Sequence, residues 1–277
     1  MSWQPLSRRT RGLGPDGPYE GVPEHMVTLL IDWYDHVTRD VYGYPDLEAQ
    51  RKLAAVLRMP LSPAGNAHDA RREILQAAVQ DHDFFLDVID AAVRFCTRNA
   101  TDRQKLNEVL ATCASVWRVA QSGDGITRTV APELMDLMSS ATSPGDLASK
   151  DVAVAWANAF GRNGDPSDAW DHAIKALEHL LSPVVVPKKD KATLGDVVGV
   201  LRANNGNKWR SSLPGKNEDN AVAPLVGTLD LIWPNTVDRH GSATNRSPTV
   251  EEARTIVSIT VALVQAHRET PLVYKVP

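Results

Sequence analysis

Apolar residues recur at three- and four-residue spacing along most of the chain, which places them on single helical faces. Val22, Met26, Leu29, Leu30, Trp33, Val37 and Val41 predict a first helix, opened by Pro23 and ended by Tyr42-Gly43-Tyr44-Pro45. Asp46 is a good N-cap for a shorter helix carrying Leu47, Leu53, Val56 and Leu57. Asn66 caps a segment with Ile74, Leu75, Ala78 and Val79, running towards Phe84, Phe85, Val88, Ile89, Ala92 and Val93 with a break near Asp81-His82-Asp83. That triplet reads as a solvated turn, because three adjacent residues cannot share a helix face. Thr101-Asp102-Arg103-Gln104 has the pattern of a capping box, ahead of Leu106, Val109, Leu110, Cys113, Val116 and Trp117.

The pattern breaks at Gln121-Ser122-Gly123-Asp124-Gly125, resumes briefly around Leu134, Leu137 and Met138, and turns small and polar from Ser139 to Gly145. That last stretch is the expected domain boundary. Leu147, Val152, Trp156, Ala159 and Phe160 then share a face, stopped by Gly161-Arg162-Asn163-Gly164. Asp165-Pro166 restarts a helix with Trp170, Ala173, Ile174, Leu177, Leu180 and Leu181. Lys175 and Glu178 on it read as a surface pair, and Ser182 to Pro187 as a buried loop between prolines. Thr193 caps a helix with Leu194, Val197, Val198 and Leu201; a polar loop runs from Asn204 to Glu218. Two further apolar segments, Leu225–Trp233 and the stretch from Ser247 to His267, bracket Asp238-Arg239-His240-Gly241. No window keeps the alternation of a strand. The expected fold class is all-α, in two helical domains at 22–140 and 145–270. Residues 1–21, rich in Gly, Pro and Arg, form an extended arm ahead of them.

Composition narrows the function. With 277 residues, 43% hydrophobic and 23% charged, the chain suits a soluble globular protein with a real core. A net charge of −4 provides no global basic field, so any nucleic-acid contact must come from a local patch. Cys96 and Cys113, both in helical stretches, form no disulfide framework or zinc set and are expected as buried thiols. The basic Arg8, Arg9 and Arg11 precede no apolar run, no run is long enough to span a bilayer, and a cytoplasmic protein is expected. The sequence holds no P-loop, dinucleotide fingerprint, His-Glu-x-x-His or nucleophile elbow. Neither a metal nor a cofactor is therefore expected. His172 and His179, seven apart on one helix, have no evident carboxylate or Cys to join them, and His36 has no evident partner.

His240 is the candidate for chemistry. It lies in a loop between two helices whose apolar faces should pack together. An imidazole moves protons near neutral pH, and a guanidinium is matched to phosphate oxygens. Asp238 can orient the ring, and Arg239 can hold charge on phosphorus. Arg246 and the exposed N–H groups of the helix starting at Ser247-Pro248 can add an anion site. Lys208 and Arg210, around Trp209, are candidate RNA contacts, with a surface loop and a core-facing Trp as the alternative.

The residues of this half also resemble a known family. Asp165-Pro166-Ser167-Asp168-Ala169-Trp170, Ala173-Ile174-Lys175-Ala176-Leu177-Glu178, Ala192-Thr193-Leu194-Gly195, and Asp238-Arg239-His240-Gly241 with Ser247-Pro248-Thr249-Val250-Glu251-Glu252-Ala253 are similar to the abortive-infection C-terminal family, a branch of the HEPN superfamily. The resemblance covers roughly residues 145–270. It implies a helical bundle and, in active relatives, a metal-independent RNase, usually a homodimer with Arg and His converging across the axis. His240 matches the family His. The family's Arg stands a few residues upstream, where this chain has Trp233, Pro234 and Asn235, and Arg239 is adjacent instead. The first half resembles regions found ahead of this module in bacterial and phage proteins. The expected function is an antiviral defence protein, with RNA and a phage-derived trigger or partner protein as the implied contacts. The alternative is a non-catalytic helical module that binds RNA, a nucleotide or a protein.

Overall fold

The structure is a computed structural model that describes Thr10 and residues 18–215, 219–233 and 246–276. The described chain is helical apart from a few three-residue strands, and it divides into two compact units, Met1–Thr129 and Val130–Pro277. Each unit has its own hydrophobic core.

The first unit carries α1 (Glu24–Val37), α2 (Leu47–Val56), α3 (Ala67–Gln80), α4 (His82–Cys96) and α5 (Ala100–Thr112), then the hairpin β1 (Trp117–Val119) and β2 (Ile126–Arg128). Helix α4 is the centre: Phe85, Leu86, Val88, Ile89, Ala92 and Val93 are all fully buried, against α1, α2 and α3. The expected caps form at Asp46, which accepts from the backbone of Glu48 and Ala49, and at Asn66, which makes a reciprocal box with Asp69. Asp81 caps α4, and the exposed Asp81-His82-Asp83 is a helix junction.

Elsewhere in this unit the structure departs from the sequence pattern. Helix α1 stops at Val37, so Val41 leaves the apolar stripe and stands 87% exposed. Helix α5 is capped by Asn99 rather than Thr101, because Asp102 is then free to turn inward, where it is buried against His36. Val116 and Trp117 are not helical. The helix ends at Thr112, Ala114 takes φ +53°, and Trp117 and Val119 face the core from a strand. Gly125 is required in the hairpin: with φ +157°, a Cβ there would lie 2.3 Å from Asp90 Oδ1, the atom that accepts the Ile126 N–H at 2.6 Å. The end of the expected arm is held in place. Tyr19 exchanges backbone bonds with Ala114 and Val116, and Trp117 Nε1 donates to the Glu20 carbonyl at 2.8 Å. Arg8, Arg9 and Arg11 lie outside the described residues.

The second unit carries α6 (Pro132–Thr142), α7 (Leu147–Phe160), α8 (Pro166–Val185), α9 (Leu194–Arg202), a 3-10 turn at Ala203–Gly206, β3 (Trp209–Ser211), α10 (Ala223–Ile232), α11 (Val250–Glu269) and β4 (Val273–Lys275). Helices α7 and α8 form an antiparallel hairpin; α11 packs across α6, α7 and α8, and α9 across α8 and α10. The division falls at Thr129, ahead of the Ser139–Gly145 stretch, because α6 runs through to Thr142 and packs on α7 and α11. The Ser182–Pro187 stretch is not a loop as expected. Helix α8 passes through Pro183 and ends at Val185, which is buried. The missing N–H costs one backbone bond in the last turn, where the burial of Val185 offsets it. Strand β3 pairs antiparallel with β4 through Trp209↔Lys275 and Ser211↔Val273. Cys96 and Cys113 are free and buried, and burial pushes the Cys96 thiol up to about 11.

Candidate functional site

Asp238, Arg239 and His240 lie outside the described residues, but the chain on either side, up to Trp233 and from Arg246, is described. On the first shoulder, α10 brings an apolar strip, Val226, Leu229 and Ile232, to the core. At its end the indole N–H of Trp170 donates to the Ile232 carbonyl at 2.8 Å, in a buried bond. Trp233 follows and lies directly over Gly195 of α9: a Cβ on that glycine would come within 2.4 Å of its Nε1. The absence of a side chain at position 195 is what admits the indole.

On the second shoulder, Thr249 and Glu252 form a reciprocal capping box at the start of α11. Arg246 closes on the same carboxylate in a two-pronged pair, Nη1 to Oε2 at 2.7 Å and Nη2 to Oε1 at 2.5 Å. The Arg246 hydrogen bond, with the Thr249 N–H, holds the Glu252 carboxyl down at about 2, and Glu252 in turn raises Arg246. The helix begins at Val250 rather than at Ser247-Pro248, and its first turn already holds an anion of its own. A phosphate at Arg246 would compete with Glu252 for the guanidinium. Behind this shoulder, Arg254 Nε donates to the Ala159 carbonyl at 3.0 Å.

The other expected contacts sit on the β3–β4 ribbon. Lys208 is exposed, whereas Trp209 is 6% exposed and faces the core. Arg210 is half-buried, its guanidinium turned back on the carbonyls of Asn207 at 3.2 Å and Trp209 at 2.8 Å. The ribbon therefore offers no stacking ring at position 209.

Two polar clusters are hidden from the sequence pattern. In the α7–α8 hairpin, Asp151 joins His172 and His179: Oδ1 lies 2.6 Å from His172 Nδ1, and Oδ2 lies 3.1 Å from His179 Nε2. The far nitrogen of His172 faces Asp168 at 3.5 Å, and Asp168 accepts from Asn158 at 2.6 Å. An antiparallel pairing about the 161–165 turn sets residue 151 opposite 175, between the two histidines; that arithmetic was the available signal. Each oxygen of Asp151 takes a different imidazole, so the ligands do not converge. Among the described residues no group of three or more His, Cys, Asp or Glu is arranged to hold a metal ion. Glu178 does not pair with Lys175 on the surface; it accepts the Leu194 N–H at 2.7 Å and helps to start α9.

In the first unit, His36 lies between Asp102, 3.1 Å from its Nε2, and Arg39, which donates to its Nδ1 at 2.8 Å. An arginine cannot accept, so Nδ1 is the lone-pair nitrogen, and Nε2 carries the proton that goes to Asp102. Lys105 Nζ stands 3.4 Å from the same Nε2, donor beside donor, so it is a neighbour of that N–H and not its hydrogen-bond partner. The partners of His36 come from 66 and 69 residues along the chain, beyond any local pattern.

No helix among the described residues is long and apolar enough to cross a membrane. No family model matches the chain, and neither does any curated protein or solved structure.

Proposed function

We propose that the protein is an abortive-infection type antiviral defence protein whose second unit is a HEPN-like bundle that cleaves RNA without a metal. His240 takes the proton from a ribose 2′-hydroxyl, the 2′-oxygen bonds to phosphorus, and the bond from phosphorus to the 5′-oxygen breaks. A proton is returned to that oxygen, a 2′,3′-cyclic phosphate remains, Arg239 carries the charge on phosphorus, and Asp238 orients the imidazole. Its carrying observation is that residues of the family-like segments fix both flanks of the Arg-His segment. Trp170 bonds Ile232, Gly195 seats Trp233, and Thr249 with Glu252 caps α11. Fixed flanks suit a segment that must hold catalytic groups in register.

A second reading, a non-catalytic module, is favoured by the Arg246–Glu252 pair, which fills the helix start that would otherwise meet an anion. Cleavage of end-labelled single-stranded RNA and of tRNA in excess chelator separates the two. Wild type, Arg239→Ala and His240→Ala proteins, each checked for folding, are compared. Cleavage by wild type alone is the expected result. Equal cleavage by His240→Ala protein removes the chemistry from this loop, and no cleavage by any of the three favours the module.

A further inference from the structure

The segment between α1 and α2 is a self-bonded loop that presents aromatic rings to solvent. Asp40 Oδ1 accepts the N–H groups of Tyr42 at 2.8 Å and Tyr44 at 2.9 Å, and Asp40 N donates to the Tyr44 carbonyl at 2.8 Å. Gly43 turns the tip at φ +87°. Asp46 N bonds the Thr38 carbonyl at 3.0 Å, and Arg39 bridges Pro45 across the base. A loop tied this thoroughly could have turned its apolar side chains inward. Instead Tyr42 is 82% exposed and Tyr44 64%.

A basic cluster stands at the base of that loop. Arg39 lies against His36, Arg98 donates to the Arg39 carbonyl, and Lys105 approaches His36 from α5. All three cations are exposed. Among the described residues, none of them has a carboxylate within ion-pair distance. Asp102 is buried and bonded to His36 and the Arg98 N–H, and Asp40 is bonded within its own loop. In a chain of net charge −4, three exposed cations stand here against two carboxylates, Asp40 and Asp102, so the cluster keeps a net positive charge.

We infer that Tyr42 and Tyr44, with Arg39, Arg98 and Lys105 beneath them, form a binding site for single-stranded nucleic acid in the first unit. Rings at a loop tip stack on bases, whose π-faces are available only in an unpaired strand, while the cations meet the backbone phosphates. The loop's internal bonds hold the rings out before the ligand arrives, which lowers the ordering cost of binding. The site is independent of the Arg-His loop, so it stands or falls separately from RNA cleavage.

Fluorescence anisotropy on labelled oligo(U) and oligo(dT) of about 12 nucleotides, and on an RNA duplex of equal length, tests it. The titrations are done in chelator, with wild type and with His240→Ala protein so that cleavage cannot deplete the probe. Both single strands should bind more tightly than the duplex, and their relative affinity shows which sugar is preferred. Tyr42→Ala/Tyr44→Ala should weaken binding by tenfold or more, about 1.4 kcal/mol, with the salt dependence kept. Arg39→Ala/Lys105→Ala should lower the slope of log affinity against log salt by about 1.4, or about 0.7 for each phosphate no longer neutralised. Tyr42 and Tyr44 are exposed, so the thermal melt of that variant should not change; the Arg39 variant also loses its bond to His36, and its melt serves as the check on folding. Equal binding to the duplex, unchanged affinity in both variants, or binding of no oligonucleotide overturns the inference; the last outcome would assign the tyrosines to a protein partner.

Discussion

Trp170 of α8 donates its indole N–H to the carbonyl of Ile232, the last residue of α10, at 2.8 Å. The acceptor is the kind of helix-end carbonyl that has no partner within its own helix. Trp170→Phe keeps the ring and removes the donor, leaving a buried carbonyl unsatisfied. Stability should fall by about 1–3 kcal/mol, read as a lower urea midpoint at unchanged slope. If the Arg-His loop cleaves RNA, the same variant should lose rate more than it gains KM.

Gly195 and Gly199 stand one turn apart on α9, and alanine should move stability in opposite directions at the two. At Gly199 a Cβ meets nothing within 4 Å, so the better helix former should stabilise by about 0.5–1 kcal/mol. At Gly195 the Cβ would press on the Trp233 indole at 2.4 Å, and displacing that ring should cost about 1–3 kcal/mol despite the gain in propensity. Thermal melts of the two single variants check the sign of each change, and Trp fluorescence should shift only for Gly195→Ala.

Asp151 supplies one oxygen to His172 and the other to His179, and the carboxylate and His172 are largely shielded from solvent. Asp151→Ala should therefore cost about 1–3 kcal/mol. Asp151→Ala combined with His172→Ala should cost less than the sum of the singles, because each single change strands a polar partner. Additive losses in the urea midpoints would show that the contacts are not coupled.

His267 faces the opposite demand. Burial, then the nearby Arg268, holds its pKa below the ordinary 6.5, and its Nδ1 accepts the Leu272 N–H at 3.3 Å. The unfolded chain takes up the proton at higher pH than the folded one. The stabilising contribution is therefore complete above about 6.5 and is lost as pH falls through the lower folded value. Wild type should lose more urea midpoint between pH 7.5 and 5.5 than His267→Gln protein does. Exchange of the β4 amides should quicken with it, since Leu272 leads into that strand.

Much of the helical layout can be read from spacing and caps. Asp46, Asn66, Asp165-Pro166 and Thr193 each open the helix their side chains suggest, because a cap acts over three residues and needs no distant partner. Where a distant partner decides, the local pattern misleads. Asn99 and Thr101 compete to cap the same helix, and Asp102, turned inward to accept from His36, goes with the cap at Asn99. Pro183 reads as a breaker, yet tertiary burial of Val185 carries the helix past it. The strands are three residues long, too short to display alternation. For the candidate sites, Asp238, Arg239 and His240 lie outside the described residues, and the Trp170, Gly195 and Thr249–Glu252 contacts beside them show only once the fold is known. The Asp151 and His36 clusters are made by helix pairing, and in sequence the exposed tyrosines look only like a helix stop.

The two cores draw on separate halves of the sequence: the first ends its buried residues at Ile126, and the second begins at Ala141. A ribosome releases the first half complete, with its central α4 already flanked by every helix that covers it, before the second has been made. The first unit can thus fold during synthesis, since its core draws on no residue beyond Ile126. The second cannot close until β4 emerges to pair with β3, more than sixty residues after that strand was made. Slow or interrupted translation would thus leave a folded first unit beside an unfinished second one.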